Sequence, residues 1–245
     1  MEDLIPFEIE PQPNDTSCGP TCLQAVYRYY GDSVAIKGLL AEVPELADGG
    51  TLGVHLANHA LKRGYRVTVY TWNLQAFDPT WFGSGAPLRE RLAARVAAGS
   101  DRRYESVSGA YLEFLDAGGE LRMEDLTAGL LRSLLRRRVP ILAGLSATFL
   151  YRSMRERPSD QEDDDIRGAP VGHFVVLSGY DAESRTVFVN DPQHEHPFDG
   201  THSYTVDIDR LIGAVYLGVL TYDGNLVAIE PISTEGAPGA HHRSS

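Results

Sequence analysis

Apolar and polar positions alternate from Leu4 to Glu10, a period-two pattern that predicts an edge strand leading into a loop at Pro11 to Ser17. From Cys18 to Tyr30 the apolar residues recur at helical spacing, and Gly31 stops the run. Ser33 and Thr51 stand where the N-caps of two shorter helices belong, the second ending near Gly64. Tyr65 to Trp72, rich in valine and aromatics, predicts a strand. Phe77 to Gly85 is turn-rich. Pro87 to Ala98 and Arg102 to Ala117 then predict helices with basic and apolar faces, and Glu120 to Glu124 a short strand.

Thr127 caps a helix through Arg137, and Val139 to Ala147 is a continuous apolar run of strand length, suited to the middle of a sheet. Arg155 to Ala169 carries six carboxylates with Pro158 and Gly168, and predicts a mobile acidic surface loop. Val171 to Tyr180 and Thr186 to Asn190 predict a hairpin turning at Asp181 to Ser184. A short helix near Ile208 to Ala214 and two last strands, Tyr216 to Tyr222 and Leu226 to Glu230, complete the pattern. Helices early and strands late predict an α+β domain with an antiparallel sheet. A single domain over residues 1–232 is expected, followed by a small, polar, disordered tail at 233–245.

Composition changes this picture little. Hydrophobic residues make up 42% and charged residues 23% of 245, ordinary for a soluble domain. The net charge of −12 disfavours a phosphate-binding surface, so nucleic acid is not an expected partner. No apolar run is long enough to cross a membrane, and the acidic Met1-Glu2-Asp3 start lacks a secretory pattern; both favour a cytoplasmic protein. The two cysteines, Cys18 and Cys22, lie one helical turn apart, too far for an easy disulfide, so a working thiol is expected.

The chemistry concentrates in Gln12-Pro13-Asn14-Asp15-Thr16-Ser17-Cys18-Gly19-Pro20-Thr21-Cys22. Cys18 sits where loop becomes helix, and the unpaired amides and positive dipole of a helix start stabilise a thiolate. Gly19 is expected to let a substrate backbone come close, and Gln12 to point its amide back toward the thiol. A base must come from elsewhere. Gly172-His173-Phe174-Val175-Val176 places a histidine at the start of a strand, and the next strand ends in Asn190-Asp191-Pro192. A hairpin brings those outer ends together, so Asp191 should orient the His173 ring, with Asp199 and Asp207 as substitutes if the register differs.

Gln-x5-Cys-Gly-Pro, Gly-His-Phe-Val-Val-Leu-x-Gly-Tyr-Asp and Asn-Asp-Pro together resemble the C39 peptidase family, over about residues 8–31 and 170–193. The resemblance implies a papain-like fold, a cysteine helix packed on an antiparallel sheet. It also implies a thiol peptidase with Cys18 as nucleophile, His173 as base, Asp191 as orienting residue and Gln12 at the oxyanion. The chain resembles a stand-alone member: no transporter segment follows, and residues 73–125 and 155–169 look like insertions. A peptide or protein is the expected substrate, with no cofactor and no metal. An acyl-transferring, transglutaminase-like enzyme and a non-catalytic peptide-binding module are the alternatives. His194-Glu195-His196 alternates along an extended segment without an evident third ligand, so a surface role is expected; His55 and His59 read as structural, and Cys22 as a core residue.

Overall fold

Residues Ile141–Ser146 (β3) are buried at every position because the strand lies inside a sheet with helices on both faces. A computed structural model describes residues 4–46, 49–83, 87–99, 102–194, 196–198, 201–221 and 224–232, with backbone alone for 102–106. The expected tail lies outside these residues, as does Asp199. Cys18–Tyr29 (α1), Ile36–Glu42 (α2) and Gly53–Lys62 (α3) precede Tyr65–Thr71 (β1). Thr80–Gly83 (α4), Leu88–Ala97 (α5), Arg102–Asp116 (α6), Glu120–Arg122 (β2) and Ala128–Arg136 (α7) lead into β3. Ala147–Tyr151 (α8), Gly172–Asp181 (β4), Thr186–Asn190 (β5), Ser203–Asp207 (β6), Ile208–Gly218 (α9) and Asn225–Pro231 (β7) follow.

Among the described residues the strands form one seven-stranded sheet in the order β2-β1-β7-β3-β4-β5-β6. Only β1 and β2 run parallel; the other pairs are antiparallel. The two-residue pleat sorts the buried side chains into two cores. Leu142, Phe174, Val176, Val227 and Ile229 pack with α1, α3 and α6, whereas Ile141, Ala143, Val175, Leu177 and Ala228 pack with α7 and α9. The α+β class and the papain-like arrangement, a cysteine helix laid on an antiparallel sheet, are both present. Residues 73–125 build α4 to α6 and β2, and bury Phe77, Leu92, Tyr111 and Phe114 against the α1 side.

Several local expectations are corrected. Leu4 to Glu10 is extended but no strand; it makes one sheet contact, Ile5 N–H to Ser178 O at 2.7 Å. Neither Ser33 nor Thr51 caps a helix: the caps are Ala35 and Leu52, and the Thr51 hydroxyl donates to Pro44 O instead. Thr127 does cap α7, accepting from Leu130 N, a contact worth about 1 kcal/mol. The strand expected at Tyr216 to Tyr222 is the end of α9 and a 3-10 turn, because Leu211, Ala214 and Val215 continue a buried helical face. Three short elements escaped the pattern, α4, α8 and β6.

Candidate active site

Cys18 is the first residue of α1, and the loop before it is braced from within. Asn14 N–H donates to the Ser17 hydroxyl at 3.2 Å, and that hydroxyl donates back to Asn14 O at 2.8 Å. Thr21 Oγ1 donates to Ser17 O at 2.8 Å. Gly19 does not face substrate. It is buried, and a Cβ there would lie 2.7 Å from Thr51 Cγ2, with Leu56 and Phe174 close behind, so the glycine lets the helix start seat against α3 and β4. Cys22 is fully buried and its thiol donates to Phe174 O at 3.3 Å. Burial, then the neighbouring Cys18 and Asp191 charges, push its thiol well up, so it is a core residue as expected.

His173 opens β4 and Asp191 follows the last residue of β5. The structure brings them together: His173 Nε2 lies 2.8 Å from Asp191 Oδ1, both side chains buried. A bulge decides this. Asp181, Tyr180 and Gly179 pair with Thr186, Val187 and Phe188, but Leu177 and Val176 then pair with Val189 and Asn190, leaving Ser178 extra. Tyr180 and Leu177, three apart, therefore share one face with Val187 and Val189. The pleat carries His173 and Asp191 onto that same face. In an unbulged ladder Asn190 would oppose Leu177, and Asp191 would fall on the face opposite His173. Ser178 is held in place by Ile5 N–H on its carbonyl and by Asn190 Nδ2 on its hydroxyl, 2.7 Å each.

With Nε2 given to Asp191, the ring's other nitrogen remains for Cys18, and both residues line one cleft. Burial alone would disfavour a charged ring. The Asp191 carboxylate and the Cys18 thiolate outweigh it, and His173 is pushed up to about 10. Asp191 is held far below the usual carboxylate range: burial opposes its charge, but the His173 cation and several donors override it. Those donors include two residues the sequence reading missed. Tyr151, ending α8, and Tyr204, on β6, donate to Asp191 Oδ2 at 2.7 and 2.5 Å, and Gln193 N–H donates to Oδ1 at 2.9 Å. No sequence motif marks either tyrosine, since both lie in elements the pattern did not predict.

Gln12 is buried, and its backbone N–H donates to Pro192 O at 2.9 Å, clipping the loop before Cys18 to the residue after Asp191. No hydrogen bond occupies its side-chain amide among the described residues, and Oε1 is buried. Asp207 caps α9 through Asp209 and Arg210 N–H, so it is no substitute for Asp191. His196 stacks on Tyr151, and His194 lies 6.0 Å from His202. Among the described residues no group of histidine, cysteine and carboxylate side chains is suited to a metal ion. His59 joins Tyr27 and Glu42, at 2.8 and 3.0 Å, and so ties α1, α2 and α3 together.

A cleft of about 380 Å³ opens at Cys18 and His173. One wall comes from the acidic loop: Glu156, Arg157, Pro158, Gln161, Ala169 and Pro170 line it, facing Asp15, Thr16 and Thr51. That loop is more ordered than its composition predicts. Glu156 and Ala169 exchange backbone hydrogen bonds, Asp164 N–H donates to Arg155 O, and the Asp164 carboxylate is held by Arg157 and Arg167.

Residues 103–217 match the Peptidase_C39 like family. That segment, just under half of the chain, runs from α6 into α9 and includes His173 and Asp191. Gln12 and Cys18 precede the matched segment. No curated protein matches the chain. Solved structures similar to it include the peptidase domain of Streptococcus ComA, a bi-functional ABC transporter involved in a quorum sensing pathway. That domain is 14% identical, the match covers 92% of this chain and 99% of that one, and the TM-score is 0.43. A double glycine motif protease from an AMS/PCAT transporter, in complex with the leader peptide, is 12% identical over 94% of each chain, with a TM-score of 0.44. Xylellain, a cysteine protease from Xylella fastidiosa, is 14% identical over 95% of this chain and 85% of that one, with a TM-score of 0.46. Among the described residues no helix is long and apolar enough to cross a membrane.

Proposed function

We propose that this C39-like cysteine peptidase hydrolyses a peptide or isopeptide bond through Cys18, His173 and Asp191, within one domain spanning residues 1–232. The observation that carries the reading is the position of the His173 ring, hydrogen-bonded to Asp191 at Nε2 and lining one cleft with Cys18. The His173 ring holds the Cys18 proton as the thiolate sulfur attacks the scissile carbonyl, forming a C–S bond. The oxyanion is held by the Cys18 backbone N–H at the helix start and by the Gln12 amide, whose donors are otherwise unused among the described residues. Collapse breaks the C–N bond, and the amine leaves with the proton from His173. Water, deprotonated by His173, then attacks the thioester and frees the thiol. Asp191 keeps the ring turned and balances its charge.

The test is a peptide-library digest read by mass spectrometry, with Cys18→Ala and His173→Ala run beside the native chain. Cleavage should vanish in the first variant and nearly so in the second, and combining them should add little because the residues act as one unit. Activity retained within about tenfold in either single variant would sink the assignment. Amine acceptors added to the same digest report acyl transfer, if any, as mass-shifted products.

A further inference from the structure

Asp191 has two oxygens and two sets of partners. Oδ1 meets His173 Nε2 and Gln193 N–H, whereas Oδ2 accepts, among the described residues, the phenols of Tyr151 and Tyr204. The carboxylate is fully buried, so no water shares its charge. We propose that Tyr151 and Tyr204 are positioning residues of the reaction: they fix the Asp191 carboxylate and draw off part of its charge, so that His173 can give back the proton it takes from Cys18. This rests on the peptidase reading of Cys18 and His173.

The geometry fits donors, not reactants. Burial and the adjacent carboxylate push both phenols well up, so both stay protonated and donate throughout the working range. Neither tyrosine lines the cleft at Cys18. Both are locked by rings: Tyr204 stacks on Phe198 at 4.3 Å and Tyr151 on His196 at 6.0 Å. The backbone of Asp191 is pinned separately, its N–H donating to His202 O at 2.9 Å and its O bonded by His202 Nδ1 at 2.8 Å. The phenols therefore act on the carboxylate rather than on the chain that carries it.

The direction of the effect follows from charge. A carboxylate stripped of two donors binds its remaining partner harder, and here that partner is the His173 proton. His173 already titrates near 10 with both phenols in place. A still more basic Asp–His pair would form the thiolate readily but release the proton to the leaving amine slowly. Other groups facing the pair are Cys18 and Cys22 from α1 and His202 beside β6, with His196 and Arg210 beyond the tyrosines. None of them bonds Oδ2 among the described residues.

The test needs no substrate. The imidazole signals of the eight histidines are followed by NMR through high pH, with His173 identified by its loss in His173→Ala. Tyr151→Phe and Tyr204→Phe should each move the His173 midpoint upward by about one pH unit, and replacing tyrosine with 3-fluorotyrosine, a stronger donor, should move it down. A midpoint unchanged or lowered in the phenylalanine variants overturns the proposal. If neither variant folds, the fluorinated protein decides alone, and an unmoved midpoint there overturns it equally. Purely structural tyrosines would lower the melting temperature and leave the midpoint still. Iodoacetamide labelling of Cys18 separates the two failures. Equal rates in native protein and His173→Ala remove the peptidase reading and this role together. Slowed labelling with an unmoved midpoint removes only this role.

Discussion

A buried carboxylate with four donors and a buried imidazole beside it make folding stability at this site depend on pH. The folded pKa of Asp191 is depressed, so its contribution is present above the ordinary carboxylate value near 3.8 and is lost only in strong acid. That of His173 is raised, so its contribution is fully present below about 6.5 and is lost as pH rises through about 10. The pair therefore stabilises most between those limits. Urea denaturation of the native chain and Asp191→Asn should show a stability gap at pH 5 that narrows by pH 10.5; a gap that widens would mean that the ring is neutral in the fold. Gln12 has a different duty. Gln12→Ala should lower kcat by roughly two to three powers of ten and leave KM nearly unchanged, because an oxyanion donor acts in the transition state. If KM alone rises in steady-state kinetics, Gln12 is a substrate-binding residue.

Among the elements, the bulge in β4 matters more than any helix. The extra residue, Ser178, turns the first half of β4 over so that His173 shares a face with Asp191. Deleting Ser178 removes only the unpaired residue and keeps the pairs on either side, so His173 and Asp191 should stay on one face and cleavage should survive. The expected result is a chain with native-like circular dichroism that still cuts; lost cleavage in a folded chain would show that the bulge itself is needed to place His173. Gly179, next to the bulge, has no room for a Cβ, which would come within 2.9 Å of Leu4, so the N-terminal segment and the bulge fit together. The helix start at Cys18 and the hairpin strands were legible because periodicity, glycine stops and the Asn-Asp-Pro end are local signals. The bulge was not, since Ser178 is explained by partners at residues 5 and 190.

For the molecule as a whole, the acidic segment 155–169 is a wall of the cleft, and two of its six carboxylates, Asp160 and Asp164, are held by Arg157 and Arg167 within the same loop. Replacing residues 156–168 with a glycine-serine linker should change which library peptides are cut, mainly through KM, while iodoacetamide still labels Cys18 at the native rate. Unchanged cleavage preferences would make the loop a bystander. Its position against Asp15 and Thr16 follows from β3 and β4 being neighbours, which brings the chain between them over the start of α1.

The sequence by itself determined the α+β class, the cysteine at a helix start and the histidine and aspartate at adjoining strand ends. These rest on short-range rules: helical and strand periods, capping and stop residues, and motif spacing. Only the tertiary structure decided which face Asp191 occupies, that Gly19 is a packing residue, and that Tyr151 and Tyr204 hold the second oxygen of the carboxylate. Each depends on residues tens of positions apart, such as Gly19 with Thr51 and Phe174, or Asp191 with Tyr151. A linear pattern carries no term for such contacts, because burial and hydrogen-bond satisfaction are properties of the packed chain.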